Sequence, residues 1–266
     1  MDDNEVLKAR INELSQRTLS QSYLCHTPFL SLSEQNLFFQ LVQTNGSRQA
    51  ATYSGVRYVL FGGNDDTERK ILYFLPDYQK ASDLLSDESQ GKGVLTCLKI
   101  AAKNPKFSDT LTHRDYLGAL MSLGYDRSLF GDILTDGTTG YLFLVASIVE
   151  DVSSNLTKIR HTTVTCETLA PSLCPFHPQF EELSVTAASA RVDSLIGEVF
   201  HLSRRSAQEV IAQEGVFVDG LTAKNNALLL KDGQRVSVKG YGKFIFVGGE
   251  HPTRRGRFAY AIKVYR

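Results

Sequence analysis

The sequence predicts an α+β protein built from a small N-terminal α/β domain over residues 1–85, a central domain over 86–170 and a C-terminal domain over 187–266. Segments with apolar residues three and four apart, typical of helices, are mixed with segments of alternating apolar residues, typical of strands. At 266 residues and 42% hydrophobic content the chain can bury more than one core. Its net charge of zero conceals a segregation: from Ser189 onward 13 Lys and Arg stand against 7 Asp and Glu, a balance of +6, which leaves −6 before it.

Two helices and two strands are predicted for the N-terminal domain. The first helix covers about 4–23, and a second begins after Ser33 as N-cap and ends at Asn45-Gly46. Alternating apolar residues over 57–61 and 71–75 indicate paired strands around a polar turn. The apolar face of the first helix is formed by Leu7, Ile11, Leu14 and Thr18.

The central domain is predicted to have the order β-α-β-β-α-β. Thr112 and Asp115 have the spacing of a capping box that opens a helix ending at Gly124. The order is that of the ferredoxin-like split βαβ motif, which RNA-recognition-motif (RRM) domains share. The usual stacking aromatics are not evident, so the fold alone predicts no RNA contact. The predicted elements are a strand over 94–101, the helix over 112–124, strands over 131–134 and 141–145, a helix over 148–155 and a strand over 158–166.

Prolines 171, 175 and 178 mark a predicted linker over 171–186. Beyond it, Val192, Leu195, Ile196 and Val199 form the apolar face of one helix. Ser203 is expected to cap a second helix, with Gly215 in the C′ position. A short strand over 216–218 and an Asp219-Gly220 turn follow.

The chemistry of this C-terminal segment is that of phosphate binding. Arg204 and Arg205 lie in the first turn of the second helix, where free backbone N–H groups and the positive dipole end favour anions. Arginine adds permanently charged, bidentate donors. Two such arginines can also be ordinary solvated surface, but the helix pair, the Asp-Gly hairpin, the Lys-Gly-Tyr-Gly-Lys turn at 239–243 and the charge balance together favour binding. A basic rim is expected from Lys224, Lys231, Arg235, Lys239 and Lys243.

The stretch from Ser189 to Phe246 resembles the S4-type RNA-binding domain of ribosomal proteins and RNA-modifying enzymes. Three further blocks resemble, in order, the signatures of the bacterial YlmH family. They are GGNDDTERKILYFLPDY (62–78), LTHRDYLGALMSLGYDRSLFGDILTDG (111–137) and NLTKIRHTTV (155–164). Together they span nearly the whole chain.

The resemblance implies a cytoplasmic ribosome-associated factor, not an enzyme, that binds rRNA of the large subunit and peptidyl-tRNA or tRNA while stalled chains are rescued and tailed. It implies no cofactor, no bound metal and no membrane contact, and we expect a monomer when free. Phe217 and Asp219 depart from the basic residues usual at that strand and turn. The final stretch, 253–266, resembles the basic tail of the family. The RNA face implied is Arg191, Ser203, Arg204, Arg205, Ser206, Lys224, Lys239, Tyr241 and Lys243, with Arg254, Arg255 and Arg257 of this tail.

The main alternative is an RNA-modifying enzyme of the pseudouridine-synthase or methyltransferase class with an attached S4-type domain. The Arg191-Val192-Asp193 triplet resembles the local form of a synthase motif, but it lies inside the RNA-binding segment, where Asp193 fits a helix start. No Gly-x-Gly-x-x-Gly loop for a methyltransferase cofactor is present. Asp65, Asp66 and Glu68 form a polar turn that fits a solvated loop better than a catalytic pair. A weaker alternative is a regulator that binds messenger RNA.

Metal, disulfide and membrane signals are weak. Cys166, Cys174 and His177 form a C-x7-C-x2-H pattern, yet the nearest further histidine, His161, falls in a predicted strand, so a buried thiol pair and a linker histidine are favoured over zinc. The four cysteines lack disulfide-framework spacing. The longest apolar run, 141–149, is too short to cross a bilayer, and the acidic N-terminus does not resemble a secretory signal.

Overall fold

Helices and strands are mixed throughout residues 3–64, 67–253 and 256–266, which the computed structural model describes. The chain divides into a first unit, residues 1–177, and a second unit, residues 178–266. The mixed α+β class predicted from the sequence is confirmed, with antiparallel sheets in both units. Within the described residues, no helix has the length and apolar character needed to cross a bilayer.

The first sheet lies in the N-terminal part of the first unit, in the order β1-β5-β4-β3-β2 with antiparallel pairing. Its elements are α1 (Asp3–Gln21), β1 (Cys25–Leu30), α2 (Leu32–Asn45), β2 (Gly46–Ser47), β3 (Thr52–Tyr53), β4 (Val56–Phe61), β5 (Lys70–Leu75) and α3 (Ala81–Ser89). Phe38 of α2 occupies the centre of this core and meets the rings of Tyr53, Tyr58 and Phe74 edge-on. The two helices and the β4–β5 hairpin are confirmed, whereas β1 and α3 were not predicted.

The N-cap of α2 is Ser31, and the prediction of Ser33 was wrong. Ser31 exchanges a capping box with Glu34: the Ser31 backbone N–H donates to the Glu34 carboxylate at 2.6 Å, and the Glu34 N–H donates to Ser31 Oγ at 3.4 Å. Such a box needs an acid or amide three residues after the cap. Only the earlier serine has Glu34 at that distance.

The second sheet has the order β7-β8-β6-β10-β9 and contains the predicted β-α-β-β-α-β succession. Thr112 and Asp115 form the predicted capping box of α4. The predicted single strand over 158–166 is a hairpin instead, because Arg160 adopts a positive φ of 53° and turns the chain between β9 and β10. The elements are β6 (Leu95–Ala102), α4 (His113–Ser122), β7 (Phe130–Thr135), β8 (Thr139–Val145), α5 (Val149–Asn155), β9 (Lys158–Ile159) and β10 (Thr162–Leu169).

The second unit packs two helices on a six-stranded antiparallel sheet of order β11-β16-β15-β14-β12-β13. Its elements are β11 (Phe180–Ala187), α6 (Val192–Val199), α7 (Arg204–Ala212), β12 (Val216–Val218), β13 (Leu221–Thr222), β14 (Arg235–Val238), β15 (Gly242–Pro252) and β16 (Phe258–Tyr265). The core combines the inner faces of α6 and α7, including Leu195, Ile196 and Ala207, with Val216 and Phe244 of the sheet.

Three predictions for the second unit need correction. Residues 180–186, assigned to the linker, form β11 and pair with β16, because after the last proline the apolar residues alternate and face the core. The stretch from Phe258, assigned to a basic tail, is the sheet strand β16. The prediction of Gly215 at the C′ position of α7 was wrong, because Glu214, with φ 54°, occupies that position. The N–H of Gly215, one residue later, donates to the carbonyl of Val210 at 2.9 Å, as in a Schellman motif.

Candidate nucleic-acid interface

The backbone at the start of α6 is held by contacts with residues 228 and 229, and this determines where the Arg191 side chain leaves the backbone. Val192 is fully buried in the core, and its backbone N–H donates to the carbonyl of Leu228 at 2.8 Å. The backbone of Arg191 forms an isolated antiparallel β-bridge with that of Leu229. Because the backbone on either side is held, the Arg191 side chain projects from a rigid base.

Arg191 forms a bidentate pair with Asp193. Its Nε and Nη2 donate to the two carboxylate oxygens at 3.0 and 2.8 Å. Asp193 is only 3% exposed. Burial acts to raise the pKa of Asp193, but the hydrogen bonds and charge of Arg191, together with Gln208 and the Ser194 N–H, outweigh it and hold the pKa below its ordinary value. The pair keeps the guanidinium in one orientation, with donors left for a further acceptor.

The two helices and the β15–β16 connection surround a cavity of about 660 Å³, which we call the arginine cavity. Arg191, Arg204 and Arg257 bring three guanidinium groups to its wall. Arg204 is exposed in the first turn of α7, behind the N-cap Ser203. The full lining is Ala188, Ser189, Arg191, Asp193, Ser194, Gly197, Glu198, His201, Leu202, Arg204 and Arg257.

Acidic side chains partly neutralise the wall. Arg257 donates to Glu198 Oε1 at 2.9 Å and to the carbonyl oxygen of Thr186. Asp193 and Glu198 are the carboxylates in the lining, and each is held by an arginine, Arg191 and Arg257 respectively. Arg204 therefore faces the cavity with its charge uncancelled by either of them. An anion of phosphate size is the ligand that this arrangement favours.

The structure separates the other predicted contact residues from the cavity lining. Ser203 and Ser206 are engaged in capping α7, with the Ser206 N–H donating to Ser203 Oγ at 3.1 Å. Arg205, whose side chain is 90% exposed, binds Glu209 at 2.8 Å. Lys224 is exposed, two residues before Asn226, whose carbonyl accepts the Asp193 N–H at 3.4 Å.

The turn at 239–243 lies beside the C-terminal end of α6. Tyr241 is 47% exposed and its ring lies 6.1 Å from that of Phe200. Lys239 and Lys243 are exposed on either side of it. Arg254 and Arg255 lie outside the described residues. The contacts proposed for these residues stay predictions.

His201, Ser194 and Gly197 line the cavity but were missed by sequence reasoning. His201 has a positive φ of 53° and reverses the chain between the helices, where the Leu202 N–H donates to the Gly197 carbonyl at 2.9 Å. A non-glycine residue in this conformation is uncommon, and sequence periodicity does not signal it. The one sequence signal for this part of the cavity is that Ser194 and Gly197, two small residues, lie three positions apart on the outer face of α6.

The cysteine and histidine pattern considered for zinc is not assembled into a metal site in the described residues. No group of three His, Cys, Asp or Glu residues there is placed to hold a metal ion. Cys174 is buried beside Cys97, whereas Cys166 is only half-buried, with its Sγ 3.7 Å from the Leu156 carbonyl oxygen, so the expectation that both thiols are buried holds for Cys174 alone. A hydrogen bond from the Cys97 thiol lowers the pKa of Cys174. Asp65 and Asp66 lie outside the described residues.

Three comparisons relate this chain to known proteins. The family model described as "Putative RNA-binding domain in YlmH" matches residues 95–172. The chain is 25% identical over 203 residues to the "Ribosome-associated protein quality control protein P2" of Bacillus subtilis (strain 168), and the match covers 74% of each chain. Among solved structures, the cell division protein ylmH from Streptococcus pneumoniae has a TM-score of 0.46 and 22% identity, over 63% of this chain and 92% of that one.

Proposed function

We propose that the chain is a member of the YlmH family and acts as a cytoplasmic, ribosome-associated RNA-binding factor without catalytic activity. It binds rRNA of the large ribosomal subunit and peptidyl-tRNA or tRNA during quality control of stalled nascent chains. The Bacillus subtilis relative, named a ribosome-associated quality control protein, supports the setting. The RNA-binding family that matches residues 95–172 supports the ligand class.

Two features of the fold support this function: the strand order of the second sheet and the packing of the α6–α7 pair on the sheet of the second unit. In the second sheet the four main strands lie in the order β7-β8-β6-β10, which is the order of the ferredoxin-like fold when they are numbered 2-3-1-4 along the chain. We assign the second sheet with α4 and α5 to an RRM-like domain. We assign the α6–α7 pair, with the sheet that follows it, to an S4-type domain.

The arginine cavity is the observation that carries the proposal. It combines three guanidinium groups with the start of α7. Guanidinium forks and helix N-termini both favour phosphate oxygens. An open cavity of about 660 Å³ lined by three arginines suits a turn of folded RNA backbone. Recognition then depends on phosphate position and shape, as is usual for structured RNA.

The pairing of the cavity carboxylates favours binding over catalysis. A general base or nucleophile must be able to reach the substrate with its reactive oxygen. Asp193 is buried, and both of its carboxylate oxygens accept hydrogen bonds from Arg191. Glu198 is paired with Arg257. These acids therefore orient arginines in the proposed function.

Binding of purified large ribosomal subunits across a salt series tests the proposal. Arg204→Ala removes a cavity guanidinium, and we expect affinity to fall about 10-fold or more and the salt slope to drop by about one unit. Arg205→Ala removes the same charge from the next residue, which binds Glu209 outside the cavity lining. We expect a clearly smaller loss from it. Equal losses from the two variants, or no loss from either, would contradict the proposal.

A further inference from the structure

The face of the second sheet opposite α4 and α5 is covered by the first sheet. Domains of the RRM type stack bases on aromatic side chains of that face. Here Phe143 of β8 and Cys97 of β6 are fully buried in a core shared with Phe29 of β1 and Ile71 of β5. A Cβ atom on Gly63 would lie 2.3 Å from the Phe143 ring. No base can reach Phe143 in this arrangement.

The part of that face outside this shared core offers little attraction for phosphate. Lys99 on β6 is bound to Glu167 on β10, with Nζ 3.0 Å from the carboxylate. Tyr141 of β8, on the same face, is partly buried against the shared core. Contacts of residues 95–172 with RNA must therefore be sought on another surface.

Exposed cations gather at one end of the second sheet, where β6 and β7 end and β8 and β10 begin. Lys103 follows β6, and its backbone N–H donates to the carbonyl of Thr163 at 2.9 Å. Thr163 pairs in turn with Lys158 of β9. Adjacent strands are about 4.8 Å apart, so Lys103 and Lys158 lie on either side of Thr163, with their backbones about 10 Å apart. Both lysines are exposed.

The start of α4 extends this cationic surface. Arg160, in the β9–β10 turn, lies 3.7 Å from Asp115 in the first turn of α4. Arg114, next to Asp115, is exposed, as is Lys106 in the preceding loop. We call this surface the basic end and define it by Lys103, Lys106, Arg114, Lys158 and Arg160.

Two of the three acids nearby, Asp115 and Asp136, accept local hydrogen bonds, whereas one carboxylate oxygen of Asp109 is buried with no hydrogen-bond partner among the described residues. Asp115 accepts from the Thr112 hydroxyl at 2.7 Å and from its backbone N–H at 2.8 Å, and these bonds lower its pKa. Asp136 accepts from the backbone N–H groups of Thr139 and Thr138, both at 2.8 Å. Across 103–115, 135–139 and 156–163, five Lys and Arg stand against three Asp.

The rest of the first unit has the opposite sign. Residues 1–177 contain 16 Lys and Arg against 20 Asp and Glu. At the other end of the second sheet, α5 opens with Glu150 and Asp151, and Asp126 precedes β7. Lys92 and Arg127 also lie at that end, so the excess of positive charge, five Lys and Arg against three Asp, is found at the basic end, which is the part that attracts a polyanion.

We propose that the basic end is a second phosphate-binding surface, through which the first unit contacts the RNA backbone independently of the arginine cavity. The inference rests on the proposed RNA-binding function and specifies where residues 95–172 carry it out. Exposed lysine and arginine side chains bind backbone phosphates and do not contact base edges. This surface therefore adds affinity without sequence preference. Two such surfaces on one chain strengthen each other through effective concentration.

The full-length double variant Lys103→Ala/Lys158→Ala tests the proposal against Lys80→Ala/Lys92→Ala. The control pair flanks α3 in the same unit, is equally exposed and removes the same charge. Binding is measured to large ribosomal subunits and to protein-free rRNA extracted from them, each across a salt series. For both ligands we expect the first variant to lose about two units of salt slope and about 10-fold in affinity, with the control unchanged.

The outcomes separate the two proposals. If the wild-type chain binds neither ligand, the proposed function fails. If the wild type binds and Arg204→Ala weakens it, but Lys103→Ala/Lys158→Ala matches its control, the basic end alone is overturned. A loss seen with whole subunits and absent with protein-free rRNA assigns the surface to an acidic ribosomal protein and also overturns it. Thermal melting curves that coincide with the wild type show that each variant is folded.

Discussion

Replacing Asp193 by Asn removes one charge from a buried pair and keeps the side-chain shape. The amide can accept only through its single oxygen, so one Arg191 N–H loses its acceptor and the other loses the charge of its partner. A charge-assisted hydrogen bond contributes about 1.5–3 kcal/mol, and breaking a fully buried pair costs about 3–5 kcal/mol. Because the Arg191 side chain is 34% exposed, water can take over part of its solvation, and we expect a loss of about 2 kcal/mol.

Amide hydrogen exchange in α6 measures this cost locally within the full-length chain. A loss of about 2 kcal/mol makes exchange of the protected amides about 30-fold faster when exchange follows unfolding of the unit. Glu209→Gln is the matched control, because it breaks an exposed pair with Arg205 on the adjacent helix, worth about 0.3–0.5 kcal/mol. Equal effects of the two substitutions would refute the assignment of Arg191 and Asp193 as the rigid support of the cavity.

The stability difference between the wild type and Asp193→Asn should depend on pH, because the pKa of Asp193 is lowered in the folded protein. A carboxyl with a lower pKa in the folded than in the unfolded state stabilises the fold fully above its unfolded value, near 3.9, and loses that contribution as pH falls through its folded value. The advantage of the wild type over Asp193→Asn should therefore be constant from pH 6 to 8 and shrink below about pH 4. An advantage that grew in acid would contradict this reasoning.

Three further substitutions probe the local structure. Ser203→Ala removes the acceptor of the Ser206 N–H at the start of α7, so it should cost about 1 kcal/mol in urea unfolding, and an unchanged midpoint at equal slope would argue against the cap. Gly131→Ala would place a Cβ 2.6 Å from the Phe29 ring in the shared core, so it should lower Tm by several degrees. Gly118→Ala in α4, with nothing within 4 Å, should raise stability by about 0.5–1 kcal/mol, and the reverse order of these two variants would contradict the packing described.

Local signals predicted much of the fold. Thr112 and Asp115 identified the start of α4, and the apolar face from Val192 to Val199 identified α6. The failures lie where a local pattern has two solutions. Two serines lie at the start of α2, Ser31 before it and Ser33 in its first turn, and only Ser31 has its capping partner three residues on. Arg160 interrupts a strand that the sequence pattern shows as continuous, because its backbone adopts a left-handed conformation. An arginine in a sequence does not indicate that conformation.

The candidate site was predictable in its residue types but not in its grouping. Arg191, Arg204 and Arg257 are 13 and 53 residues apart along the chain, and only the packing of β16 beside β11 brings Arg257 to the helix pair. The assignment of residues 171–186 to a linker hid this pairing. His201 was missed because its role depends on a turn. The basic end was missed because its members lie in the β6–α4 connection, the first turn of α4, β9 and the β9–β10 turn, which only the fold brings together.

The central claim is that the helix pair of the second unit contacts ribosomal RNA. Ultraviolet crosslinking of the full-length protein to large ribosomal subunits, followed by mass spectrometry of RNA-linked peptides, tests it most directly. We predict that crosslinked peptides include residues 189–206, which contain Arg191 and Arg204 of the cavity wall. RNA-linked peptides confined to residues outside 178–266, with the protein still bound to the subunit, would contradict the claim.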